Sequence, residues 1–129
     1  MLAHEAWAST VEALAPRCKW DDLTGVPYGW RVIVEDFARA VHVMGVPLVV
    51  MQIKEKCGGL RISYGMTREP HGCHPKIDAL VDAACDRADV TCEECGKVGM
   101  VGVYRGWARV LCPEHVSRYL PHEPDEGRG

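Results

Sequence analysis

The feature that most constrains this chain is the run from Cys92 to His115. It reads Cys92-Glu-Glu-Cys95, sixteen residues, then Cys112-Pro-Glu-His115. Two pairs of soft ligands, each split by two residues, offer three sulfurs and one nitrogen, the tetrahedral shell that zinc readily accepts. Between the pairs, Val101 and Val103, then Trp107 and Val110, suggest two short strands joined near Arg105-Gly106. The stretch from Cys112 to Leu120 reads as a helix whose first turn carries the last two ligands. Pro113 needs no N–H there, and Glu114 suits the positive helix end. Knuckle, hairpin and ligand-bearing helix, over 91–120, point to a treble-clef-like unit more than to a zinc ribbon. Four protein ligands close the shell, so the expected role of Zn2+ is structural, not catalytic.

The rest of the chain patterns as helices around a hairpin. Residues 2–15 carry Trp7, Thr10, Val11 and Leu14 at helical spacing, ended by Pro16, and 17–29 reads as a loop. A second helix, Tyr28 to Met44, places Trp30, Ile33, Val34, Phe37, Val41 and Met44 in one stripe, and Gly45 and Pro47 close it. Leu48 to Ile53 is short and β-branched, hence a strand, with Val49, Met51 and Ile53 expected on one face. Lys54 to Gly59 is a turn region, and Leu60 to Tyr64 alternates as the return strand, opposing with Leu60, Ile62 and Tyr64. Residues 65–75 read as a loop. A third helix, Pro75 to Val90, buries Ile77, Leu80, Val81, Ala84 and Ala88. The expected architecture is a single α+β domain over 1–120, with 121–129 a disordered tail.

Composition bounds function only loosely. A 129-residue chain with 47% hydrophobic and 26% charged residues is an ordinary globule, and its formal charge of -3 lacks the basic surplus of a nucleic-acid binder. No apolar run approaches a membrane span, and the N-terminus lacks the pattern of a signal peptide. Seven cysteines, with Cys18, Cys57, Cys73 and Cys85 outside the metal motif and unpaired by spacing, fit a reducing cytoplasm.

Charge is uneven, however. Residues 46–76 hold five basic and two acidic residues, whereas 77–90 hold four aspartates and one arginine. Lys54, Lys56 and Arg61, with Arg68, surround Gly58 and Gly59. They could grip phosphates or an acidic partner, the glycines permitting close backbone approach. They could equally form a solvated turn whose lysines neutralise the aspartates of the third helix, which general experience of charge runs favours. Tyr104 and Arg105 at the tip of the zinc hairpin are further surface candidates for a partner. Trp107 reads instead as the plug of a small zinc-supported core.

The segments Lys54-Glu-Lys-Cys-Gly-Gly-Leu-Arg61-Ile-Ser-Tyr64, Cys92-x-x-Cys-Gly96 and Gly106-Trp-x-x-x-Leu-Cys-x-x-His115 together resemble a family of small phage- and prophage-encoded proteins of unassigned activity. The likeness spans about Trp30 to His115, with Cys57 standing where that family usually has phenylalanine. It implies a phage or mobile-element setting and brings no catalytic residue.

Three functions follow in order. The first is a non-enzymatic protein that binds a host or phage protein, inhibition being one mode of action, through Lys54, Lys56, Gly58, Gly59, Arg61, Tyr104 and Arg105. The second is a nucleic-acid binder using the same cations with Arg105, Arg109 and Arg118. The third is a metal-dependent hydrolase using Asp78, Asp82 and Asp86. A His-Asn-His nuclease would need a histidine on the zinc hairpin, and Met100 to Leu111 has none. His71, Cys73 and His74 look like metal ligands but lack a partner pair. Cys57 lies among cations that favour a thiolate.

Overall fold

A computed structural model describes residues 3–66 and 74–119, and the side chains of 5–66 and 74–117. His71, Cys73, Arg68 and the expected tail at 121–129 lie outside the described residues, as does the side chain of Arg118.

The chain is α+β. Helix α1 (Ala3–Leu14) precedes a two-residue strand β1 (Lys19–Trp20), a 3-10 turn (Tyr28–Trp30) and helix α2 (Arg31–Met44). Strands β2 (Leu48–Lys56) and β3 (Gly59–Met66) form a hairpin, followed by helix α3 (Pro75–Ala88). Strands β4 (Met100–Tyr104) and β5 (Trp107–Leu111) and helix α4 (Pro113–Tyr119) complete it. The segment 17–29 is therefore more than a loop: β1 pairs in parallel with β2, making a three-stranded sheet in the order β1-β2-β3.

The helical stripes behave as their periodicity requires. Trp30, Ile33, Val34, Phe37 and Val41 are buried, and Gly45 ends α2 in the left-handed conformation at φ 72°. Ile77, Ala84 and Ala88 of α3 are buried, with Leu80 and Val81 packed at the margin. Thr10 departs from the expected stripe of α1. It is exposed, and its hydroxyl donates to the Ala6 carbonyl one turn back.

The inner face of β2 is not the expected one. Val50 lies opposite Tyr64 and Gln52 opposite Ser63, so Met51 is an extra residue with no partner, a β-bulge. The bulge shifts the alternation by one. Leu48 and Val50 before it and Ile53 after it are buried, while Met51 is exposed and Val49 is half-buried. On β3 the alternation is unbroken, so Leu60, Ile62 and Tyr64 face inward as expected. Beyond the bulge, the outer face carries Gln52, Lys54 and Lys56 opposite Ser63, Arg61 and Gly59.

Both hairpins turn in two residues with positive φ, Cys57 (55°) and Gly58 (80°) in one, Arg105 (55°) and Gly106 (86°) in the other. These are the conformations a type I′ turn demands, and they match the right-handed twist of the strands. The two hairpins also touch. Gly58 is buried, and a Cβ placed on it would lie 3.3 Å from Val101 Cγ2 and 3.4 Å from Ala108 Cβ.

Candidate metal centre

Cys92 and Cys95 are held by a knuckle: the Cys92 N–H donates to the Lys97 carbonyl (2.7 Å), and the Gly96 N–H to the Cys92 carbonyl (2.9 Å). Gly96 takes φ 86°, a left-handed value that glycine adopts without strain. The second ligand pair is fixed by the start of α4, where the His115 and Val116 N–H groups donate to the Cys112 carbonyl (3.0 and 2.9 Å). The four side chains converge, with all ligand atoms within 4.8 Å of one another.

The spacing tests whether an ion fits. A tetrahedral ion with bonds of about 2.3 Å to sulfur and about 2.0 Å to nitrogen requires roughly 3.8 Å between sulfurs and roughly 3.6 Å from sulfur to nitrogen. Cys95 Sγ lies 3.7 Å from Cys112 Sγ, and Cys92 Sγ lies 3.6 Å from His115 Nδ1. Cys112 Sγ is closer to the ring nitrogen, at 3.2 Å. The sulfurs are far beyond disulfide length, and the spacing is one that can hold a metal ion.

Electrostatics agree. Burial raises the Cys92 thiol, but backbone N–H groups of Cys112, Cys95 and Glu94 outweigh it and bring the thiol down to about 7. At Cys95 the Lys97 amide favours the thiolate, yet burial and the neighbouring Cys112 and Cys92 leave it raised. Thiolates this close repel one another, and a cation between them relieves the repulsion. Cys18 and Cys85, outside the cluster, are both raised by burial, Cys85 also by Asp89, Asp82 and Asp86, which suits thiols that serve as packing groups.

The knuckle is seated on the main body by two residues that the sequence reading overlooked. Gly29 donates its N–H to the Glu93 carbonyl (2.7 Å), and a Cβ there would fall 2.0 Å from the Cys92 carbonyl oxygen. Only glycine permits that approach. Glu93, between the ligands, is buried. Its N–H donates to the Val110 carbonyl (2.8 Å), and its Oε2 accepts the Val110 N–H (2.8 Å). Arg109 Nε stands 3.4 Å from Glu93 Oε1, and the same guanidinium reaches Glu94 at 3.7 Å. Burial dominates and raises the Glu93 carboxyl. The Trp30 indole adds a bond to the Thr91 carbonyl (2.8 Å). A glycine at a helix entrance and an acid inside a ligand knuckle were the only sequence signals of this seat.

The other candidate residues are distributed as follows. Lys56 and Arg61 are exposed and Lys54 half-buried on the outer face of the first hairpin, Lys54 directly opposite Arg61. Among the described residues no ion pair joins them to an aspartate of α3, so the expected neutralisation is not formed. Arg87 on α3 instead pairs with Asp36 of α2 (2.7 Å). Gly58 makes its close approach to the second hairpin, at Val101 and Ala108, and its N–H is capped by Glu55 Oε2 (2.9 Å). Gly59 opens β3. Arg105 is exposed at the tip of the second hairpin, whereas Tyr104 is half-buried beside the metal cluster, its ring over Gly102. Trp107 is not a plug: it is 74% exposed, because a two-stranded ribbon has no second layer to cover it.

Asp78, Asp82 and Asp86 are exposed on α3, and Asp78 accepts the Tyr64 hydroxyl. Among the described residues they join no further ligand, and the Cys/His cluster is the group able to hold a metal. His74 precedes α3, its N–H donating to the Tyr64 hydroxyl (3.0 Å). No helix among the described residues is long and apolar enough to cross a membrane.

Comparison with protein-family models, curated proteins and solved structures finds no match to this chain.

Proposed function

We propose that this is a small zinc-stabilised binding protein without enzymatic activity of its own, acting in a reducing cytoplasm on an acidic protein partner. Zinc is favoured because three cysteines and one histidine form a soft, tetrahedral donor set. Since all four positions are protein ligands, the ion supports shape and leaves none open for substrate. Knuckle, ribbon and ligand-bearing helix, in that order, are the parts of a treble clef. The resemblance of the Lys54–Tyr64 and metal segments to small phage proteins supports a phage or mobile-element origin, with a host or phage protein as target.

The observation that carries the reading is the outer face of the β2–β3 hairpin. Lys54 sits directly across from Arg61, with Lys56 one pair further along; the two strands add no carboxylate of their own to that face, and Asp21 and Asp22 of the loop after β1 border it beside Lys54. Like charges directly opposite on a sheet oppose folding by up to about 1 kcal/mol, a cost that incoming carboxylates would reverse.

Charge reversal at Lys54, Lys56 and Arg61 tests this by affinity capture from host lysate with mass spectrometry. The expected result is loss of an acidic partner with the thermal melt unchanged. Capture that survives the reversal removes this face from the account. Retention of a mixed oligonucleotide pool, weakening steeply with salt, would replace a protein partner by nucleic acid.

A further inference from the structure

The ribbon formed by β4 and β5 has two edges in different states. On β5, Glu93 takes both outward hydrogen bonds of Val110, closing that edge at Val110. Antiparallel ladders alternate between bonded and non-bonded pairs. With Val110 turned outward, the pairs bonded across the ribbon are Met100/Leu111, Gly102/Arg109 and Tyr104/Trp107. Val101 and Val103 therefore turn their N–H and C=O groups away from β5, to the free edge of β4. Among the described residues no backbone partner meets them there.

Natural sheets blunt such an edge with lysine, proline, a bulge or a covering loop. Met100-Val-Gly-Val-Tyr104 has no charge and no proline, and its pairing with β5 is regular. The surface around it is apolar. Of the ten large hydrophobic residues exposed among the described residues, six belong to this region: Val90, Val98, Met100, Val101, Val103 and Trp107. Val101 and Val103 are 62% and 72% exposed. The Thr91–Val98 bridge and the Gly99 N–H bond to Val90 (2.9 Å) keep Val98 and Val90 at the base of the same strand. Concentrations of this kind mark an interaction site.

We propose that β4 is a self-association edge, at which two copies pair antiparallel about Gly102 and merge their ribbons into one four-stranded sheet. The strand is complementary to itself in that register. Val101 of one copy stands opposite Val103 of the second, both with outward-facing backbone groups, giving four hydrogen bonds and one run of valine side chains. Gly102 meets its own equivalent as a non-bonded pair, the closest approach in an antiparallel ladder, with the Tyr104 ring of each copy lying over the place its side chain would take. Charge is complementary as well. The same register ends the seam at Met100, and brings Arg105, exposed and in no ion pair among the described residues, to the covered end of the second copy's edge. Gly99 is bonded to Val90, the neighbour of exposed Asp89. Twofold symmetry makes this contact twice. The inference is independent of the acidic partner proposed above, which uses the outer face of the other hairpin.

Sedimentation of the metal-loaded full chain over a range of concentrations tests it. The wild type is expected to pass from monomer to dimer. Val103→Pro deletes two of the four seam bonds and should raise the dissociation constant about thirtyfold or more. Val101→Lys, which keeps every backbone donor, should also shift the chain to monomer, so the test stands even where the proline variant folds poorly. A wild type that is monomeric into the millimolar range overturns the proposal and leaves the edge to a foreign strand. A dimer equally stable in Val101→Lys and folded Val103→Pro overturns it too, since another surface would then hold the copies together.

Discussion

The main body and the metal-bearing ribbon are built on different principles. The body gathers nineteen buried residues into one cluster, from Trp7 on α1 through Trp30, Phe37 and Leu48 to Ile77 on α3. Burial on this scale is the ordinary source of stability for a domain. The cluster around the metal has three buried residues, Cys92, Leu111 and Cys112, and two of those are ligands. Its strands expose Val101, Val103 and Trp107. With so little apolar area of its own, the unit depends on the Glu93 hydrogen bonds and on Val110, and coordination by the Cys/His group would add to them. A chain can thus carry an apolar, open-edged strand on its surface: Val110 of the neighbouring strand reaches into the main cluster, and the Cys/His group able to hold a metal lies at the base of the ribbon.

Metal removal separates the two regions most sharply. Structural zinc, the ion proposed here, contributes about 10 kcal/mol or more of apparent binding energy to small metal-dependent units, so chelation should abolish protection of β4, β5 and α4 in hydrogen exchange while α2, β2 and α3 keep theirs. Simultaneous loss of all protection would show one cooperative unit and break the comparison. Acid should act in the same direction. The Cys92 thiol lies near 7 in the folded chain against an ordinary 9.0, so its contribution is complete above that ordinary value and is lost as the pH falls through about 7.

Next in size is Gly29→Ala, which drives a Cβ into the Cys92 carbonyl. Overpacking against backbone should cost about 3 kcal/mol in the denaturant midpoint of the ribbon, with little effect on the metal stoichiometry. Glu93→Ala should cost about 1–3 kcal/mol by leaving the buried Val110 N–H without its acceptor, and Glu93→Gln distinctly less, since the amide oxygen can still accept. The smallest effect is expected at Met51→Thr in the main body. The bulge puts this residue outside, so the melt should shift by no more than about 0.5 kcal/mol, against several for a residue of the inner face.

What the sequence disclosed follows the range of the forces involved. The ligand set was legible because coordination demands fixed local spacings, and α2 and α3 because their apolar periods run for several turns. The inner face of β2 was read rightly at Ile53 and wrongly at Val49 and Met51, because a bulge adds one residue without altering composition and so shifts the alternation between the two ends of the strand. Trp107 was placed inside on hydrophobicity alone, although two strands offer nothing to cover it. Gly29 and Glu93 were missed for another reason. They meet across more than sixty residues of chain, and nothing local in either segment announces the other.

Trp30 gives that long-range seat an optical consequence. Its indole is fully buried and bonded to Thr91, the residue before the first ligand. Indole emission depends on polarity and on the hydrogen bond of its ring nitrogen, so any disturbance of the sulfur cluster should alter the light this side chain gives back. The molecule thus carries an internal gauge of its own metal status, needing neither dye nor label.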